Sequence, residues 1–104
     1  MAAEGMAREV RVERPAMGMS HDDFFRVFPS VVAPASWRRE GLSVVVEWPD
    51  DARVTATVSL QKQRRIASLN LPYVDVVLCF VGVESNVRAR FLERFDRAFH
   101  KGGG

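Results

Sequence analysis

A chain of 104 residues, 47% hydrophobic and 27% charged, has the size expected of one domain with a single core, and its composition argues against a disordered chain. Fifteen Lys and Arg against thirteen Asp and Glu leave a formal charge of +2, too small for a general polyanion binder. One cysteine forms no internal disulfide, no apolar run reaches the about eighteen residues of a membrane span, and the N-terminal residues lack a signal-peptide core, so the expectation is a small soluble, bacterial-type cytoplasmic domain.

Residues 1–8 read as a flexible leader. Residues 9–14 alternate polar and apolar, predicting a short strand with Val10 and Val12 inward that Pro15 ends. Ser20, His21, Asp22 and Asp23 mark a helix start: the Ser20 hydroxyl can accept from the Asp23 amide, and both aspartates favour the positive end of the helix dipole. Phe24, Phe25, Val27 and Phe28 share one face of that helix. Pro29 is expected to stop or kink it, although the apolar stripe continues through Val31 and Val32.

Residues 33–41, punctuated by Pro34 and Gly41, read as a connector. Leu42, Val44, Val46 and Trp48 alternate with Ser43, Val45 and Glu47, and Val54, Ala56, Val58 and Leu60 alternate with Arg53, Thr55, Thr57, Ser59 and Gln61. Between them, Pro49, Asp50 and Asp51 predict a type I turn with proline in its second position, hence a hairpin. Lys62, Gln63, Arg64 and Arg65 read as a basic turn. Residues 66–71 alternate again, as a strand of their own or as the bent start of the next.

That next strand, residues 74–83, is apolar on both sides. Val74, Val76, Leu78 and Phe80 point one way, Val77, Cys79, Val81 and Val83 the other, and only Asp75 interrupts. A strand with two oily faces must be covered on both. A helix follows over residues 85–100, with Val87, Phe91, Leu92, Phe95, Ala98 and Phe99 inside an arc of about 140°. Arg90, Glu93, Arg94, Asp96, Arg97 and His100 lie opposite, with Glu93 and Arg97 spaced for an ion pair. Gly102, Gly103 and Gly104 are expected to stop the helix and form a glycine tail. Their likeness to the diglycine tail of small sulfur carriers ends there, because that tail leaves a strand.

The expected fold class is therefore α+β: a two-layer sandwich of an antiparallel meander sheet with four to five strands and two helices on one face, order β-α-β-β-(β)-β-α, in one domain over residues 9–101. The order resembles the TATA-binding-protein-like topology βαββββα, an analogy of fold that carries no function.

No catalytic, metal or cofactor motif stands out. Asp96 and His100 lie one helical turn apart, but a catalytic histidine needs a pocket and a third partner. His21 lacks the carboxylate or thiol neighbours of a metal site, and Cys79 reads as a buried, inert thiol. The leading expectation is a non-enzymatic interaction or oligomerisation module, a homodimer or a complex with an unidentified protein. Its candidate interface is Val45, Val77, Cys79 and Val81 on the sheet face away from the helices, beside the row of Thr55, Thr57 and Ser59. Two alternatives stand beside it. One is anion or nucleic-acid binding through Lys62, Arg64 and Arg65, with Arg38 and Arg39 nearby and Trp37 and Tyr73 stacking. The other is a small-ligand protein or enzyme with a pocket between sheet and first helix, lined by Phe24, Phe28 and Trp48.

Overall fold

The computed structural model describes residues 9–103; the predicted leader and Gly104 lie outside them. The elements in chain order are β1 (Glu9–Met17), α1 (His21–Val32), β2 (Ser36–Glu40), β3 (Ser43–Glu47), β4 (Arg53–Val58), β5 (Lys62–Ile66), β6 (Leu69–Val81) and α2 (Ser85–Gly103). All strand pairs are antiparallel. The order across the sheet is β1-β6-β4-β3-β2, and β5 pairs only with the first part of β6. This is the expected α+β sandwich, with six strands where four to five were expected. With the β5 excursion set aside, the order is β-α-β-β-β-β-α.

α1 begins as its sequence dictates: the Asp23 amide donates to the Ser20 hydroxyl at 3.1 Å. It does not end at Pro29 but runs on to Val32. An internal proline costs about 3 kcal/mol. Burial of Val31 and Val32, 1% and 3% exposed, returns about 1.5–3 kcal/mol each, so packing outweighs the lost hydrogen bond. The far end of α1 is closed by α2: Arg94 Nη2 donates to the carbonyls of Ser30 and Ala33 at 3.2 and 3.1 Å.

Both helices pack on one face of the sheet. Phe24, Phe28, Phe91, Phe95 and Phe99 meet Val44, Val46, Val54, Ala56, Val58, Val74, Val76, Leu78 and Phe80 in one continuous core. Phe24 and Phe99 stack across the helix pair, ring centroids 4.9 Å apart and planes 10° from parallel, a geometry that adds to simple area burial. Val87, expected in the core arc, is instead exposed in the first turn of α2, on the wall of an open hollow that it shares with the end of α1. α2 also continues past Lys101 to Gly103, beyond the expected glycine stop.

The expected connector over residues 33–41 contains a strand, β2. All five of its residues are exposed, because it is the outermost strand and no apolar alternation is needed there. The expected basic turn is likewise a strand, β5, and residues 69–71 are the start of β6, not a separate element. β1 runs past Pro15 to Met17 through an irregularity between Arg14 and Met17, where Ala16 takes φ +54°. The β3–β4 turn is not type I. Asp50 and Asp51 both have positive φ, 64° and 63°, so they are the two central residues and proline precedes them. This is the I′ geometry whose twist matches a hairpin.

Candidate interaction surface

β6 is the axis of the surface. It is thirteen residues long, and its neighbours change along it. Residues from Val74 to Val81 pair with β1 on one side and, from Val76, with β4 on the other. Residues from Leu69 to Tyr73 pair with β5 alone. The early part of β6 and β5 thus form a two-stranded arm that leaves the body of the sheet, consistent with a longest dimension of 57 Å against 25 and 24 Å.

Successive strand residues face opposite sides. Even-numbered residues of β6 from Val74 to Phe80 lie in the core; Val77, Cys79 and Val81 lie on the other face and are half-buried. The register completes rows across that face. Arg11, Cys79, Thr55, Val45 and Arg38 stand in line, as do Glu9, Val81, Arg53, Glu47 and Ser36. The four predicted interface residues therefore share one face, with Thr55 standing between Val45 and Cys79. Val45 is 8% exposed although no second layer covers the face among the described residues. Charged side chains rim the apolar centre and pair with one another: Arg11 with Glu13 at 3.6 Å, Arg38 with Glu40 at 2.6 Å and with Glu47 at 3.1 Å. Burial raises the Cys79 thiol above its ordinary pKa, and the Glu9 carboxylate adds to the effect, so the thiol is not poised as a nucleophile.

The same alternation carries this face onto the arm. Tyr73, Leu71 and Leu69 continue the series of Val81, Cys79 and Val77, and Ile66, Arg64 and Lys62 stand directly opposite them. Ile66, Leu69 and Leu71 are 49%, 60% and 41% exposed. The reverse side of the arm carries Gln63, Arg65, Asn70 and Pro72. The side of the arm that carries Ile66, Leu69, Leu71 and Tyr73, together with Lys62 and Arg64, is continuous with the open face of the body.

Asp75 is the only charge in the stripe, and it is fully used. Its carboxylate accepts from Lys62 Nζ at 2.8 Å and from the Ala16 amide at 2.7 Å. Its own amide donates to the Ser59 hydroxyl at 2.9 Å. The Lys62 hydrogen bond chiefly, and the Ala16 amide after it, hold the Asp75 carboxyl below its ordinary pKa. His21 adds a second tie: its amide donates to Gln61 Oε1 and its Nε2 donates to the Ser59 carbonyl, both at 2.8 Å. These residues clamp the base of the arm to β1 and α1. Their roles are invisible in sequence because the partners lie far apart in the chain.

All three of Lys62, Arg64 and Arg65 are on β5, but only Lys62 and Arg64 share a side, with the guanidinium of Arg64 5.2 Å and Lys62 Nζ 5.8 Å from the Tyr73 ring centre; Arg65 lies on the reverse side. Arg38 and Arg39 do not join them. They sit on the outermost strand, Arg38 in the ion pairs above and Arg39 at 3.6 Å over the Phe25 ring. The expected pocket is displaced. Phe24 and Phe28 are sealed in the core, while a hollow of about 340 Å³ opens between the end of α1 and α2, lined by Val32, Pro34, Trp48, Arg90, Phe91 and Arg94 among others.

Asp96 does not pair with His100; it makes two hydrogen bonds to Arg14, at 2.8 and 2.9 Å. Among the described residues no cluster of three metal-binding side chains occurs, and no helix is long and apolar enough to cross a membrane. Comparison with protein-family models, curated proteins and solved structures gives no match to this chain.

Proposed function

We propose that this chain is a non-enzymatic protein-interaction module that docks its partner on the open face of the sheet, in the reducing cytoplasm where a half-buried free thiol persists. One observation carries the reading: an apolar stripe, Val77, Cys79 and Val81, continues onto Leu71 and Leu69 with no covering layer among the described residues and with its single charge neutralised. Apolar surface gathered in one rimmed patch marks a docking site far better than scattered exposed residues do. Cys79 reports directly on that patch. Its alkylation in intact cells making the protein at native levels is expected to be about tenfold slower than in the dilute purified chain, as burial under a partner lowers thiol access. Equal rates in the two settings would remove the reading.

A second reading has its own support. Residues 61–74 carry Lys62, Arg64 and Arg65 and no acidic residue, on a two-stranded ribbon of a width that a major groove admits. It expects salt-sensitive retention of a short duplex, abolished by Arg64→Glu. Absence of retention at low salt excludes it.

A further inference from the structure

We infer that the hollow between the end of α1 and α2 binds a small aryl or acyl carboxylate, with its apolar body against Trp48 and its carboxylate on Arg90. The hollow lies on the helix side of the molecule, so the inference is independent of the open face and adds a small-molecule site to the fold.

The walls set the size and polarity of the ligand. Val32, Pro34, Trp48, Val87 and Phe91 give the hollow a largely apolar lining. Trp48 is half-buried and braced by an edge-to-face contact with Phe91, ring centroids 5.9 Å apart and planes 88° from parallel. Val87 leaves 37% of its surface exposed there. The volume of about 340 Å³ is at the small end of the range for ligand sites. At about 30 Å³ for each water-sized group it holds roughly eleven non-hydrogen atoms, enough for one ring and a short acid chain and too few for a nucleotide.

The charges set the ligand's sign. The lining carries Arg90 and Arg94 and no acidic residue. These two stand one helical turn apart, a spacing at which like charges repel. Arg94 is occupied, because its Nη2 donates to the Ser30 and Ala33 carbonyls at 3.2 and 3.1 Å and so offsets the negative end of the α1 dipole. Arg90 has no such partner. Asn86, Val87, Glu93 and Arg94 are its neighbours one turn away, and Glu93, the one carboxylate among them, is held by Arg97 at 3.2 Å. Among the described residues Arg90 makes no ion pair.

A guanidinium with its fork of donors unengaged therefore edges an apolar hollow. A carboxylate fits that fork through two parallel hydrogen bonds and relieves the repulsion between the two arginines, while its apolar remainder covers Trp48 and Val87. Orientation follows from the far side of the same wall. Asp50 and Glu84 line the neighbouring hollow that shares Trp48 and Val87, so the anionic end is directed to Arg90 and away from the β3–β4 turn.

The probe is hydrocinnamate, titrated into the full chain carrying Trp37→Phe, which leaves Trp48 as its only tryptophan. The Trp48 emission is expected to change and saturate with a Kd between about 10 µM and 1 mM, the range of so small a ligand. Hydrocinnamyl alcohol, the same body without the charge, is expected to bind at least about tenfold more weakly. Arg90→Gln should weaken the acid about tenfold and leave the alcohol unchanged, whereas a merely structural role for Arg90 would weaken both equally and overturn the assignment. Val87→Phe, which fills the hollow from the first turn of α2, should abolish binding of either. No saturation up to about 10 mM overturns the site. Equal affinity for acid and alcohol overturns the carboxylate, and binding that survives Val87→Phe places the ligand elsewhere and overturns the inference. Unchanged melting temperatures of the variants establish that each remains folded.

Discussion

Lys62 and Asp75, thirteen residues apart in sequence, meet at 2.8 Å where the arm leaves the sheet. The pair sits on the open face, and the same carboxylate holds the Ala16 amide in the β1 irregularity. The lysine hydrogen bond chiefly, then the amide, lower the Asp75 pKa; the aspartate hydrogen bond chiefly raises that of Lys62. The signs define a window. A carboxyl lowered on folding stabilises above its unfolded value, 3.8 ordinarily, and loses that contribution as pH falls through the lower folded value. A lysine raised on folding stabilises below its ordinary 10.5 and loses the contribution as pH rises through the higher folded value. Protection of the β5 amides, the slowing of exchange relative to the free peptide at the same pH, is therefore expected to be greatest between these limits and to fall on acidification below the ordinary aspartate range. Asp75→Asn should reproduce the weak protection at neutral pH. Unaltered exchange in that variant would show that the clamp does not hold the arm.

Phe95 and Val87 share the predicted apolar arc of α2 and fare oppositely in the fold. Phe95 is fully buried and Val87 is 37% exposed. Phe95→Ala is expected to cost about 3–5 kcal/mol through lost burial and the cavity left behind. Val87→Ala should fall within about 0.5 kcal/mol of the wild type, as surface changes do. Urea denaturation of both variants separates helix placement from mere hydrophobic content: comparable losses would mean that α2 is rotated from its described position.

Legibility in the sequence followed the hydrophobic effect closely. α1, α2, β4 and the body of β6 announce themselves because each has a face that must be dry, and a periodicity of 3.6 or 2 follows from that need. β2 and β5 lack it. Their ladders rest on main-chain pairing, and Trp37, Arg38 and Arg39, or Lys62 to Arg65, carry no alternation to read. For the same reason the candidate face was half legible. Val77, Cys79 and Val81 showed a second oily side, but the arm that prolongs it was hidden in what reads as a basic turn. The clamp of Asp75, Ser59 and His21 depends on tertiary proximity alone.

The β3–β4 turn offers a backbone test. Asp50 and Asp51 both occupy the left-handed region, which aspartate tolerates and glycine adopts without a steric penalty. Asp51→Gly is expected to stabilise the fold by about 0.5 kcal/mol, because Asp-Gly is a favoured I′ pair. Gly82→Ala, at φ +69° against the backbone of Ala52, should cost about 1–2 kcal/mol, the usual penalty of that region for a residue with a Cβ. Thermal melts giving the opposite order would contradict the turn geometry.

Val45 and Val77 provide the sharpest separation of folding from docking. Both belong to the open face, yet Val45 is buried by its own chain and Val77 is half-exposed. Val45 stands between Arg38 and Thr55 in its row, so the neighbouring strands already enclose it. A lysine at position 45 must desolvate or displace those neighbours, and Val45→Lys is expected to lose about 1–3 kcal/mol. Val77→Lys can reach water past the strand, so its loss in dilute solution should stay below about 1 kcal/mol. Its effect belongs to association, where a charge in the middle of the contact has no partner. Chemical denaturation at low concentration, repeated at high concentration, distinguishes the two. The Val77 variant should match the wild type when dilute and fall behind it only when the wild type associates. A large loss for Val77→Lys at every concentration would mean that this side chain is already packed by its own molecule, and the open face would then be structural, with nothing left to dock.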